Sequence, residues 1–196
     1  FFETGFFLYL LPRLRWSKSP IRAEKGLMGK RIELDVFESE HPQYNGVVLE
    51  TPEIDTFCTS TAWLLPALSA FHPDFEPFLY QLDSGYLCLG RGQAPHLGRF
   101  LAPLEAMWGL ASPVAGKDPL LLAEEVTDHF RAIESEWDTL WLCGLDSRSV
   151  FFESITTRLM PRYRLGLGPR TKRHEASLEG GAEGWLSRRS RKFRKG

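Results

Sequence analysis

Three neighbouring signals in the middle of the sequence leave few possible folds. Phe78–Leu82 and Tyr86–Leu89 flank the turn residues Asp83–Gly85, a combination typical of a β-hairpin. Leu120–Glu134 follows, and its apolar residues fall on one face of a helix. Asp138–Gly144 is then a mostly apolar run, as in a strand buried on both faces. A hairpin, an amphipathic helix and a buried strand predict a mixed β-sheet flanked by helices, in the α/β (α+β) class.

The rest of the chain adds elements to this sheet. Charged and apolar residues alternate in Arg31–Phe37, which predicts a half-buried strand. Ser60 is a candidate N-cap for a helix that Pro66 would kink or interrupt. The other predicted elements are a short strand at Gly46–Glu50, the helix at Thr61–Phe71, a strand at Leu97–Leu101, an irregular connection at Pro103–Asp118, a helix at Ser149–Met160, short strands at Tyr163–Gly168 and Lys172–Leu178, and a basic helix at Glu183–Lys195.

Composition limits the class of protein. The chain has 196 residues, 43% of them apolar, which is enough for a folded core. No apolar run approaches the ~20 residues of a membrane helix, so we expect no membrane span. Cys58, Cys88 and Cys143 lie far apart and without a histidine cluster, so we expect neither a zinc site nor disulfides. Reduced, buried cysteines predict a cytoplasmic setting.

Charge is segregated along the chain although the net charge is only −1. Residues 1–31 carry seven cations and two acids, residues 32–157 carry five cations and twenty acids, and residues 158–196 carry twelve cations and three acids. The acidic middle is predicted to be the folded body, with its acids on helix faces and in loops.

The start of the chain is predicted to lie outside the folded domain. Residues 1–27 show no sustained period of strand or helix and lack a signal-peptide layout, and the first methionine is Met28. We interpret residues 1–27 as a leader or a non-native N-terminal extension, with an ordinary N-terminal arm as the alternative. The first domain would then span residues 28–181.

Motifs for common chemistry are missing from the sequence. It has no Walker phosphate loop, no dinucleotide fingerprint and no nucleophile elbow. Gly166-Leu-Gly168 lacks the third glycine and the following helix, so a turn is the default interpretation. Asp146 and Ser147 follow a predicted strand, where an N-capping role is favoured over a catalytic one. His129 shares a helix face with Glu125 but is expected to be packed or at the solvent edge.

The most distinctive local feature is basic. Residues 182–196 contain six cations within eight positions. A solvated helix face, a nonspecific nucleic-acid tail and a helix contacting an anionic substrate, cofactor phosphate or acidic body all fit this pattern. The cations are Arg188, Arg189, Arg191, Lys192, Arg194 and Lys195.

This segment also carries a family resemblance. Ser187-Arg-Arg-Ser-Arg-Lys-Phe-Arg-Lys195 resembles the Ser-x-x-x-Arg-Lys-x-Arg helix of CelD-like proteins of the GNAT acetyltransferase superfamily. The order of predicted elements over residues 50–195 is similar as well. The resemblance implies two tandem GNAT-like halves, the second opened by the basic helix at 182–196 and carrying the acetyl-CoA or acyl-CoA site.

The resemblance implies an N-acyltransferase that moves an acyl group from acyl-CoA to a small-molecule amine. The family's cofactor loop, Gln/Arg-x-x-Gly-x-Gly/Ala, is not found, because Leu167 and Ala94 stand where the spacing from Arg164 and Arg91 requires glycine. The chain therefore resembles an N-terminal half, inactive alone, that needs the C-terminal GNAT half. We expect no cofactor in this chain alone, and no catalytic base can be assigned.

Three residues are candidates for contact with the acceptor if this half lines its site. Arg99 could bind an anionic group, Glu105 could orient an amine, and Trp108 could form an apolar wall. The alternative function is a non-catalytic interaction module whose basic helix binds an acidic partner; nucleic acid is the less favoured partner.

Overall fold

A computed structural model describes residues 2–12, 29–173 and 180–188 of the chain. These residues form a mixed α/β structure, which confirms the predicted fold class. The strands are β1 (Phe2–Pro12), β2 (Lys30–Ile32), β3 (Glu76–Gln81), β4 (Tyr86–Ala94), β5 (Gly98–Pro103), β6 (Val114–Ala115), β7 (Thr139–Asp146) and β8 (Tyr163–Arg173). The helices are α1 (Leu34–Ser39), α2 (His41–Glu50), α3 (Thr56–Thr59), α4 (Thr61–Phe71), α5 (Pro119–Ala132), α6 (Val150–Leu159) and α7 (Gly181–Ser187).

The strands form one sheet in the order β2-β3-β4-β5-β7-β1-β8, with β6 paired to β4. Every pair is antiparallel except β5 and β7, which are parallel. A parallel pair needs a crossover connection, and α5 lies within that connection. The predicted hairpin is β3–β4, in which Leu79 lies opposite Cys88.

The strand β1 corrects the interpretation of the chain's start. Phe2–Pro12 lies between β7 and β8, and Leu10 pairs with Leu140 on one side and Leu165 on the other. Leu10 is fully buried, so this part of residues 1–27 is inside the folded unit. Register shifts on both sides of Phe6 interrupt the regular pairing of β1, and such bulges break the period of 2 that marks a strand. The remainder of that segment, residues 1 and 13–27, lies outside the described residues.

Two further predictions near the start are wrong in type. Only the first residues of the predicted strand Arg31–Phe37 pair in the sheet, and the chain turns into α1 at Leu34. The predicted strand Gly46–Glu50 is the second half of α2. Tyr44 and Val48, four residues apart, are both buried, so the helical spacing of these two side chains outweighs the β-branched run.

Both faces of the sheet are covered, because neighbouring residues of a strand point to opposite sides. In β3, Phe78 and Tyr80 belong to the core beneath α5 and α6, whereas Leu79 belongs to the core beneath α1–α4. The predicted helices α4, α5 and α6 are confirmed, and α4 continues through Pro66. His129 of α5 is fully buried, with its ring centroid 4.2 Å from that of Tyr80.

The structure also bears on the glycines of β8, the cysteines and the expected membrane spans. Gly166-Leu-Gly168 lies within β8 and is not a turn. Of the second predicted strand in this region, only Lys172 and Arg173 are described, and they continue β8; residues 174–178 lie outside the described residues. Cys58, Cys88 and Cys143 are buried and free. Within the described ranges, no helix is long and apolar enough to cross a membrane.

Candidate functional site

The candidate site lies where the parallel strands β5 and β7 separate. They are in register only at Phe100 opposite Thr139 and Leu101 opposite Leu140. Beyond these pairs, β7 continues to Asp146, and the segment 104–112 packs against it. The carboxyl ends of parallel strands are a common place for functional groups in α/β proteins.

Gly144 on β7 allows the segment to approach closely. Its φ is +71°, and a Cβ there would lie 1.8 Å from the carbonyl oxygen of Ala111. Leu104, Ala106 and Ala111 are buried. The space beside β7 is therefore filled by the chain itself.

Glu105 organises this segment. Its side chain is fully buried, and its carboxylate accepts hydrogen bonds from three backbone N–H groups. Oε1 accepts from Trp108 at 2.6 Å, and Oε2 accepts from Leu110 at 2.9 Å and Ala111 at 3.3 Å. Both oxygens therefore hold the loop in place, and these hydrogen bonds compensate for the burial of the carboxylate. The position of Glu105 in the sequence does not reveal this role.

Trp108 stands on the outside of the same loop as one member of an aromatic patch. Its ring centroid lies 4.8 Å from that of Phe71 and 5.6 Å from that of Trp63, and Trp63 lies 5.8 Å from Phe57. The aromatic patch, defined as Phe57, Trp63, Phe71 and Trp108, thus joins α3, α4 and the loop after β5. Trp108 is 45% exposed, so part of its ring faces solvent.

His72 is a neighbour of the site that sequence reasoning missed. Its Nε2 accepts a long hydrogen bond from the Ala106 N–H at 3.4 Å, and its ring stacks on Phe75 with centroids 4.4 Å apart. Burial lowers the pKa of His72, and the Glu105 carboxylate opposes this shift, so the net effect favours the neutral imidazole. In the sequence, His72 is only the end of a helix followed by proline, and no nearby residue signals its role.

The two cysteines beside Glu105 are poor nucleophiles. Burial raises the pKa of Cys58 and of Cys143, and the charge of Glu105 raises both further. A thiol attacks as its thiolate, so these groups stay protonated and unreactive at neutral pH. The site offers no nucleophilic thiol at these two positions.

Arg99 lies away from this site. It lies near the start of β5, four positions before the strand ends at Pro103, which is about 13 Å along the strand. Its guanidinium makes two hydrogen bonds of 3.0 Å to the carboxylate of Asp138 and one of 2.8 Å to the Ser135 carbonyl. The structure therefore brings Glu105 and Trp108 together and leaves Arg99 in a separate ion pair.

A small cavity lies beside the site, between the end of β7 and the start of α6. Its volume is about 20 Å³, and Ser112, Asp146 and Ser149 are among its lining residues. This is room for about one water molecule and not for a substrate. Ser149 is the N-cap of α6 and accepts from Phe152 N, whereas Asp146 accepts from Arg148 N. A local structural role thus holds for Asp146, but the cap itself is Ser149.

Most of the basic segment falls outside the described residues. The helix α7 covers Gly181–Ser187, and Arg188 follows it as an exposed residue. The remaining cations, Arg189, Arg191, Lys192, Arg194 and Lys195, lie beyond the last described position. Within the described ranges, no group of three or more His, Cys, Asp or Glu side chains could hold a metal ion.

Comparisons of the chain with protein families, with curated proteins and with solved structures found no match.

Proposed function

We propose that this chain is the N-terminal half of a GNAT-type N-acyltransferase of the cytoplasm, and that it contributes to the acceptor side of the enzyme. The proposal rests on the resemblance of residues 187–195 to the CelD-like basic helix. The mixed sheet flanked by helices is compatible with it. Buried, free cysteines are compatible with the reduced state of a cytoplasmic protein.

The packing where β5 and β7 separate supports a division of the enzyme into an acceptor half and a cofactor half. The segment 104–112 packs against β7 at Gly144, so the chain itself fills the space beside this strand. The described residues therefore do not fit acyl-CoA between these strands. The proposal places acyl-CoA in a second GNAT half, as the missing Gly-containing loop also suggests.

Trp108 is the residue that we assign to contact with the amine acceptor. Its ring is exposed and lies against Phe71, so it can cover an apolar part of the acceptor. Glu105 is a positioning residue in this scheme, because both of its oxygens hold the loop and neither is left to bind an amine. Arg99 has no part in it, because Asp138 and Ser135 occupy its guanidinium.

The decisive experiment is to read the gene downstream of Gly196 and to assay its full product. We expect about 150–200 further residues that contain the cofactor loop. We also expect transfer from acetyl-CoA to a member of an amine panel, detected as free thiol. A stop codon directly after Gly196 in the intact gene would refute the proposal.

Two variants of the active full-length protein test the residue roles. Trp108→Ala should raise the KM for the amine about tenfold with little change in kcat, since it removes binding that is equal in ground and transition states. Arg99→Ala should leave both constants unchanged. Calorimetric titration of acetyl-CoA into the 196-residue chain should give no heat of binding; micromolar binding there contradicts the placement of the cofactor in the other half.

A further inference from the structure

The aromatic patch leaves a large apolar surface exposed to solvent. Phe57 is 60% exposed and Trp108 is 45% exposed, and Met107 beside it is 54% exposed. The rings are in contact with one another, so the exposed area is continuous and not scattered. A contiguous exposed apolar surface on a folded protein marks a place of interaction.

The patch is also preformed. Trp63 lies between Phe57 and Trp108, and the N–H of Trp108 is bound to the buried carboxylate of Glu105. Phe71 is fixed at the end of α4, where it meets Trp108 edge to face. Aromatic side chains held in this way lose little conformational entropy when a partner binds, which favours them as anchors.

Charge around the patch selects the partner. Residues 32–90 include α1–α4 and carry ten acids and no lysine or arginine. Glu38, Glu40 and Asp74 are among the exposed members of this set. Glu50 and Glu76 of this set pair with Lys117 and Arg31, which lie outside residues 32–90, so the excess negative charge rests on the other acids.

We propose that the aromatic patch, which lies in the same acidic helical layer as α1–α4, docks a basic polypeptide segment of a partner protein in which large apolar side chains alternate with Lys and Arg. The apolar side chains pack on Trp108, Phe71 and Phe57, and the cations meet the acidic surface and the aromatic faces. Nucleic acid is the wrong charge for this surface. The inference stands whether or not the chain takes part in acyl transfer, since docking needs no acyl donor.

The test uses the full chain and a fluorescein-labelled amphipathic helix of Leu and Lys, about 15 residues long, as the probe. Fluorescence anisotropy at about 50 mM salt should give saturable binding that weakens severalfold at about 500 mM salt. The same peptide with Glu in place of Lys should not bind. Trp108→Ala and Phe57→Ala should each weaken binding about tenfold.

Met160→Ala is the matched control, because Met160 is 56% exposed at the end of α6 on the opposite face of the sheet. It should bind the probe as the wild type does, and thermal melts of all three variants should match the wild type. If Trp108→Ala lowers the melting temperature, the Phe57→Ala result alone decides.

Three outcomes overturn the proposal. The first is equal binding of the Lys and Glu peptides, and the second is a loss on Met160→Ala as large as that on Trp108→Ala. The third is a dimer in sedimentation that Trp108→Ala dissociates while the wild type fails to bind the probe, because the patch would then be an interface between two copies.

Discussion

Glu105→Ala is the substitution that tests most directly how the site is built. The change removes the acceptor of three backbone N–H groups, at 2.6, 2.9 and 3.3 Å. Leu110 and Ala111 lie in a buried or half-buried part of the loop, where water cannot replace the carboxylate. An unpaired buried donor costs about 1–3 kcal/mol, so two such donors and the vacated side-chain volume should cost about 3–5 kcal/mol.

Urea unfolding followed by tryptophan fluorescence measures this loss. Glu105→Gln separates hydrogen bonding from volume, because the amide fills the space but turns an N–H₂ group toward at least one backbone donor. We expect it to cost about 1–3 kcal/mol. Glu38→Ala is the control, an exposed glutamate in a helix, and its free energy of unfolding should stay within about 0.5 kcal/mol of the wild type.

The result that refutes the reasoning is a free energy of unfolding for Glu105→Ala within about 1 kcal/mol of the wild type. A neutral Glu105→Gln combined with a costly Glu105→Ala would mean that the side-chain volume matters and the hydrogen bonds do not.

Three other predictions concern the fold. Gly144→Ala should lower the free energy of unfolding by at least about 3 kcal/mol or prevent folding, because its Cβ would meet the Ala111 carbonyl. Gly46→Ala in α2, with open space around it, should raise the free energy of unfolding by about 0.5–1 kcal/mol. Denaturant unfolding compares the two variants, and similar effects would contradict the packing of the segment 104–112 on β7. Glu125→Ala should lower stability by about 2–3 kcal/mol, because Glu125 accepts hydrogen bonds from the backbone N–H and the hydroxyl of Ser84 in the hairpin turn. Glu124→Ala, at the exposed neighbour, should change stability by less than about 1 kcal/mol. Equal losses in thermal melts would disprove this role of Glu125. A chain that begins at Met28 lacks Phe2–Pro12 and should not fold, because β7 and β8 lose the strand that pairs with both. Circular dichroism tests this, and an unchanged melting temperature would show that Phe2–Pro12 is not needed for folding.

Elements with a local signal could be predicted from the sequence. The turn residues Asp83–Gly85, the one-sided apolar pattern of α5 and the apolar run of β7 each indicate their structure within a few residues. The start of the chain could not be predicted in this way. Bulges in β1 interrupt the alternation of residues that marks a strand. In α2, the spacing of Tyr44 and Val48 identifies a helix only once both side chains are known to be buried in the core.

The candidate site was only half visible in the sequence. The sequence indicates Glu105 and Trp108 as acceptor contacts. The structure places them in one loop, but backbone N–H groups occupy the Glu105 carboxylate. The charge of Arg99 makes it a candidate in the sequence, yet Asp138, thirty-nine positions away, forms an ion pair with it. Long-range pairing of this kind leaves no trace in local spacing.

The sequence alone determined the layer class, the positions of most helices and strands and the uneven distribution of charge, because these depend on short-range periodicity and composition. The tertiary structure decided the rest. It placed β1 between β7 and β8, filled the space where β5 and β7 separate, and gathered residues from α3, α4 and a loop into one aromatic patch. Each of these depends on contacts between residues far apart in the chain, and such contacts form only when the sheet has brought their partners together.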